Sequence, residues 1–283
     1  MKLLLLNIIA YSFLFILSSC KKYSSAPEAF FIQPGQINMA VQSNQGSASH
    51  KITDLWVYVD GFFKGVYPIE NKIPIVSNGK KVKISILGGI KNNGISSTRL
   101  FWPLFNSIEF DTLVENEKVI QRDFTFSYNT TTTFKWVENF DNNGQSMIRS
   151  SNSAASTVSM QIVSSNESFE NKYLELKILG GGIFAQIETY SSFNIPLSNS
   201  NVYLELNYKC NNPFTIALIG DNTEVKDVFT FNTQSNWNKA YIQLASTVNS
   251  QPVSNNYKIC FYMVKTEAEE PRILLDNLKL VFL

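Results

Sequence analysis

The chain has 283 residues, with 24 Lys+Arg against 23 Asp+Glu, one His and three Cys. Balanced charge leaves no concentrated basic face for phosphates, which argues against nucleic acid as a partner. A single His excludes a multi-His zinc centre and leaves His50 alone to serve any triad. At about 150 residues per domain the length suits two domains, each able to bury a core without many disulfides.

Met1–Lys2 is a short positive start, and Leu3 to Leu17 is a nearly unbroken apolar run before Ser18-Ser19-Cys20. A charged start, about 15 apolar residues and small residues before a cut describe a signal peptide. A membrane-spanning helix wants about 20 apolar residues, and here Lys21-Lys22 follow at once. Leu17-Ser18-Ser19-Cys20 resembles the bacterial lipobox. That resemblance implies removal of residues 1–19 and a diacylglycerol on the sulfur of Cys20, the mature N-terminus. Each buried CH₂ contributes about 0.8 kcal/mol, so multiple chains anchor a protein that does not span the membrane. Lys21 stands where the usual inner-membrane retention signal has Asp. Cys-Lys-Lys and the Asn-, Ser- and aromatic-rich body resemble Bacteroidetes outer-membrane lipoproteins. The resemblance implies a lipid-anchored place at the outer membrane. In that group surface export favours acids soon after the Cys. None comes before Glu28, so periplasmic leaflet and cell surface both stay open.

Residues 20–30 read as a lipidated tether. Beyond it, short runs of Val, Ile, Tyr, Phe and Thr alternate with Gly, Asn, Pro and Ser clusters, the rhythm of all-β sandwiches, and no amphipathic helix stands out. Leu55–Val59 is a strand, Asp60-Gly61 a turn signal, and Phe62–Tyr67 the returning strand. Lys81–Ile86 alternates polar and apolar, as a half-buried strand should. Gly88–Gly94 reads as a long turn, and Ile108–Ile120 and Gln121–Tyr128 as further strands. The first domain is therefore placed at 31–131, an Ig-like β-sandwich, with a polar break at Thr130–Thr133. The second, 134–283, offers Tyr173–Ile178, Val202–Tyr208, Phe214–Ile219, Trp237–Leu244, Tyr257–Val264 and Arg272–Leu283. About eight strands in this length fit a two-sheet jelly roll.

Three stretches of the second half carry a further resemblance: Glu138-Asn139-Phe140-Asp141, Trp237-x-Lys239-x-x-Ile242-x-Leu244 and Ile273 to Leu280. Together they resemble the galactose-binding-like jelly rolls of carbohydrate-binding modules over 134–283. The resemblance implies neighbouring first and last strands with a structural Ca²⁺ between them, held by Glu138, Asp141 and Asp276. Calcium takes six to eight oxygens. The plainer alternative is a bulge at Asp276-Asn277 and a turn at Asp141–Gly144, with no ion. The resemblance implies as well a sugar platform of aromatic rings flanked by polar side chains. Tyr203, Tyr241, Tyr257 and Tyr262 are the candidates, Tyr203 because it faces opposite Val202 and Leu204. Trp237 is expected in the core.

Arg99–Phe105 is the most apolar loop-like stretch. Its Trp102 and Phe105 suit either a partner contact or burial as an edge strand. Cys210 and Cys260 read as two buried thiols, with a disulfide as the alternative an oxidising periplasm permits. His50 lies in a polar loop, and Glu267–Glu270 is an acidic hairpin tip. Nothing announces the carboxylate pair of a glycosidase, and Gly180-Gly181-Gly182 lacks the Lys-Ser/Thr of a phosphate loop. The expected function is a non-enzymatic, membrane-anchored binding module with glycan as partner. An accessory subunit of an outer-membrane transport or secretion complex is the second reading, and a glycoside hydrolase the third.

Overall fold

The computed structural model describes residues 28–77, 80–142, 146–197, 201–250 and 254–283. The leader, Cys20 and most of the tether lie outside the described residues.

The first lobe holds β1 (Glu28–Ala40), β2 (Asp54–Val59), β3 (Phe62–Pro68), β4 (Ile73–Ser77), β5 (Lys81–Lys91), β6 (Arg99–Phe101), β7 (Ile108–Leu113) and β8 (Val119–Ser127). Strands β4-β1-β8 form a three-stranded sheet in which β1 and β8 run parallel. Strands β3-β2-β5-β6, with β7 also on β5, form a five-stranded sheet. Side chains alternate along a strand, so Leu55, Val57 and Val59 of β2 and Val82, Ile84 and Ile86 of β5 face inward. They meet Phe30, Ile32, Ile73, Ile75, Phe124 and Phe126 of the other sheet. Full burial of each such side chain contributes about 1.5–3 kcal/mol.

Asp60-Gly61 makes the expected turn, with φ of +51° and +81°, the left-handed pair a two-residue hairpin loop requires. Two expected features differ. Ile108–Ile120 is not one strand, because Glu117 takes φ +61° and Lys118 N–H bonds back to the Glu115 carbonyl, turning the chain. Gly88–Lys91 is not a turn but extends β5. Gly89 allows this by lacking a Cβ, which would stand 2.9 Å from Trp56 Nε1.

The second lobe holds β9 (Thr133–Glu138), β10 (Met147–Arg149), β11 (Val158–Val163), β12 (Tyr173–Ile178), β13 (Phe184–Thr189), β14 (Phe193–Asn194), β15 (Val202–Cys210), β16 (Phe214–Gly220), β17 (Val225–Phe231), β18 (Gln234–Gln243), β19 (Asn256–Val264) and β20 (Arg272–Phe282). A single short helix, α1 (Ala245–Asn249), interrupts the strands among the described residues. Two six-stranded sheets pack face to face: β11-β12-β20-β15-β18 with β9 on β20, and β10-β13-β19-β16-β17 with β14 on β19. Leu174, Leu176, Leu204, Leu206, Ile273 and Leu275 of the first interleave with Ile187, Ile216, Leu218, Ile259 and Phe261 of the second. The chain is thus all-β, built as β-sandwiches.

The first lobe covers the outward face of the β15-containing sheet. Ile90, Trp102, Leu104 and Tyr128 pack there on Tyr203, Tyr241 and Val281. The Trp102 ring lies 4.4 Å from Tyr203 and 4.6 Å from Tyr241. Backbone groups sew the seam: Asn93 N–H donates to the Tyr241 carbonyl and Lys51 N–H to the Tyr241 hydroxyl, both at 2.9 Å. Beneath the rings lies Glu205, which accepts from the Tyr128 hydroxyl at 2.7 Å and pairs with Lys239 at 3.0 Å. Burial works against its charge, but Lys239, Lys279 and Tyr128 hold the carboxyl below its ordinary range. Lys279 donates to the Ser47 carbonyl at 2.6 Å, and burial lowers its ammonium to about 8.

Candidate functional site

Four of the expected contact residues are inside the molecule. Trp102, offered as a partner contact, is 1% exposed in the seam between the lobes. Phe105 is half-buried against Trp102, Phe126 and Tyr128. Tyr203 and Tyr241 do face outward from their sheet, as alternation predicts, but the first lobe lies on that face and buries both. Tyr257 faces the core, and its hydroxyl donates to the Ser254 carbonyl at 2.9 Å. For Tyr203 and Tyr241 the cause is that alternation tells a side from its opposite, not which side another lobe covers.

Tyr262 alone of the four tyrosines stands on an open face. It lies on β19, opposite Gln186 of β13 and Thr215 of β16. The side chains of Asp227 and Thr215 bond its hydroxyl, and burial followed by Asp227 raises its pKa.

The same face carries a groove of about 480 Å³. Its floor comes from neighbouring strands: Gln186 and Glu188 of β13, Lys258 of β19 and Ile219 of β16. One wall is Ser150–Asn152, after β10; the other is the β16–β17 turn with Asp221 and Thr223. Glu188 and Lys258 pair at 2.7 Å while keeping 15% and 30% of their side chains exposed. Asp221 accepts from the N–H groups of Asn255 and Asn256 at 3.0 and 3.1 Å, which hold its carboxyl below the ordinary range. Gln186 is almost wholly buried, and its Nε2 has no hydrogen-bond partner in the protein. A buried amide donor without an acceptor costs about 1–3 kcal/mol. Tyr190, which the sequence reading missed, sits in the turn between the lining residues Glu188 and Ser192, 69% exposed. Its signal was present in Glu-Thr-Tyr-Ser-Ser, an aromatic in a polar turn directly after a strand.

The expected three-carboxylate metal set does not assemble. Among the described residues no group of three or more His, Cys, Asp or Glu is placed to hold a metal ion. Glu138 is the reason: its carboxylate turns back to accept the Phe140 N–H at 2.7 Å, locking Phe140 at φ +58°. Asp141 and Asp276 do face each other's charge. Burial, with Glu170 and Asp141 adding to it, raises Asp276 to about 7. Asp141 Oδ1, Asp276 Oδ2, Asn207 Oδ1 and Asn277 Oδ1 are all buried without a partner. Asn207 pairs with Asp276 across β15 and β20.

The remaining candidates have structural settings. Trp237 is half-buried rather than in the core, its Nε1 donating to the Glu167 carbonyl at 2.6 Å. His50 is half-buried, with Nε2 3.1 Å from the Ile37 carbonyl, and burial lowers its pKa. Cys210 and Cys260 are buried free thiols in opposite sheets.

No protein-family model matches the chain, and no curated protein matches it by sequence. Solved structures do. A family 11 carbohydrate-binding module of the cellulosomal cellulase Lic26A-Cel5E of Clostridium thermocellum is 16% identical, with TM-score 0.36, over 55% of this chain and 96% of that one. A structure from a study of promiscuous carbohydrate-binding modules of the β-sandwich superfamily is 12% identical, with TM-score 0.38, over 90% of this chain and 98% of that one. A point variant of a family 29 carbohydrate-binding module is 12% identical, with TM-score 0.35, over 54% of this chain and 89% of that one. At these identities and TM-scores the likeness leaves the ligand of this chain to be argued from its own groove.

Proposed function

We propose that the protein is a non-catalytic carbohydrate-binding module, anchored at the outer membrane through an acylated Cys20, with the groove on the β13-β19-β16 face as its glycan site. The observation that carries the reading is the partly exposed Glu188–Lys258 pair on the floor of an open, polar-lined groove of about 480 Å³. Ligand sites commonly measure about 300–1,000 Å³. Sugar hydroxyls donate and accept at once, so an amide, an ammonium, a carboxylate and the Ser150, Ser151 and Ser192 hydroxyls suit them. The exposed Tyr190 ring offers a surface for a pyranose face.

Binding rather than hydrolysis fits the carboxylates. A general acid needs a raised pKa, whereas Asp221 is pushed the other way and Glu188 is engaged with Lys258. A calcium ion would suit the buried oxygens of Asp141, Asp276, Asn207 and Asn277, which are hard donors of the type it takes. It would supply positive charge between two buried carboxylates and tie β9 to β20. A glycan array tests the main reading: wild type binds a polysaccharide, and Lys258→Ala and Tyr190→Ala each bind it roughly tenfold more weakly. Wild type that binds no glycan, or variants that bind unchanged, would overturn it.

A further inference from the structure

The chain enters the first lobe at one pole. β1 starts there at Glu28. Its first residues are pinned to the β7–β8 turn: Glu117 N–H donates to the Ala29 carbonyl at 2.7 Å, and Phe31 N–H to the Lys118 carbonyl at 2.8 Å. The strand registers bring to this pole the end of β4, the start of β5, the end of β7, the start of β8 and the Asp60-Gly61 turn. The second lobe docks at the other pole, where Ile90, Trp102 and Tyr128 lie.

The strand ends at the free pole show large apolar side chains to solvent. Phe62, first residue of β3, is 72% exposed, and Leu113, last of β7, is 61% exposed. Val76, one from the end of β4, and Val119, first of β8, are exposed too, as is Phe63. An exposed apolar ring of this kind marks contact with a partner or a membrane. Three of its lysines are matched, Lys81 with Asp111 and Lys83 with Glu109 at 2.7 Å and Lys118 with Glu115 at 2.5 Å, while the exposed Lys64 and Lys80 have no ion pair among the described residues. Two unpaired lysines among the described residues fall short of the cluster of about four to eight that seeks anionic head groups.

We infer that this pole rests on lipid, seated in the interfacial layer of the bilayer that holds the acyl chains. The inference rests on acylation of Cys20. Glu28 lies eight positions after Cys20, and a chain of that length spans at most about 28 Å. The anchor thus keeps the apolar ring beside the bilayer, where a weak apolar contact is effectively intramolecular. Seated this way, the lobe points the groove-bearing sandwich away from the membrane.

The test uses the full acylated chain, its acyl groups verified by mass spectrometry, reconstituted in phosphatidylcholine vesicles and in phosphatidylethanolamine–phosphatidylglycerol vesicles. An environment-sensitive dye is attached to Phe62→Cys and, separately, to Ile183→Cys, a 71% exposed position in the second lobe. Cys210 and Cys260 are buried, and burial raises both thiols, Cys210 to about 11, so the introduced thiol takes the label. The expected result is blue-shifted emission at position 62, quenched by doxyl lipid several-fold more than at 183, alike in both lipid mixtures. Flotation with the vesicles but solvent-like emission at 62 would overturn the seated pole and leave the anchor standing. Blue-shifted emission without lipid quenching would mean that residues 20–27 or another protein surface covers the pole, which also overturns it. Failure of the acylated chain to float would remove the anchor and the seated pole together.

Discussion

The second sandwich carries a Glu–Lys pair on the outward face of each sheet. Glu205 and Lys239 pair at 3.0 Å with 1% and 3% of their side chains exposed; Glu188 and Lys258 pair at 2.7 Å with 15% and 30% exposed. The residue types are the same and the surroundings opposite. The first pair lies under Trp102, Tyr203 and Tyr241 and is joined by Tyr128 and Lys279, a closed network that fixes how the lobes sit. The second opens into a groove beside an unsatisfied amide. The first lobe converts one polar face into an interface and leaves the other open. Polar residues on a sheet are therefore not a binding site until the rest of the chain leaves them uncovered.

Uncovering the buried face breaks the comparison most severely. Trp102→Ala removes the ring that fills the seam and should cost about 3–5 kcal/mol. The variant should unfold at lower urea, with the segment around Thr130–Thr133 newly open to protease. An unchanged midpoint would mean that the seam is not what holds the lobes together. Calcium sharpens the comparison, since its proposed oxygens belong to the second lobe alone. Adding Ca²⁺ to EDTA-treated protein at a hundredfold over Kd should stabilise it by about 2.7 kcal/mol. Asp276→Asn should abolish the effect, and a thermal midpoint indifferent to Ca²⁺ would remove the ion from the account.

Proton linkage gives a smaller effect. Lys279 faces Glu205, Lys239, Glu170 and the Tyr128 hydroxyl, and burial holds it at about 8. An unfolded lysine titrates near 10.4. Between about pH 8 and 10 the unfolded chain therefore binds more protons at this site than the folded one, so its contribution to stability rises with pH. The difference in urea-unfolding free energy between wild type and Lys279→Met should shift toward wild type across that window, on the order of 1 kcal/mol. A flat difference would contradict the burial of a charged Lys279.

Much of this architecture is legible in the sequence. Alternation in Lys81–Ile86 and Val202–Tyr208 and the Asp60-Gly61 hairpin follow from local rules, and the structure obeys them. Tyr203 was assigned correctly to the outward face. Its burial was illegible because it depends on Trp102, a hundred residues away, arriving across a lobe boundary. The family resemblance points to Glu138 as a metal ligand, but the left-handed Phe140 brings that carboxylate back onto its own turn, a detail no spacing rule predicts. Tyr262, a sequence candidate, shares the groove's sheet face but does not line the groove. Gln186 and Lys258 were not anticipated, because they are ordinary strand residues until β13 and β19 pair and their neighbours leave space above them.

The account turns most directly on Lys258. Calorimetric titration of a polysaccharide retained on the array should give wild-type binding that Lys258→Ala weakens roughly tenfold, while its thermal midpoint stays near wild type. Glu269→Ala, in the exposed loop before β20, should bind as wild type does. Equal affinity in wild type and Lys258→Ala would contradict the groove as the glycan site.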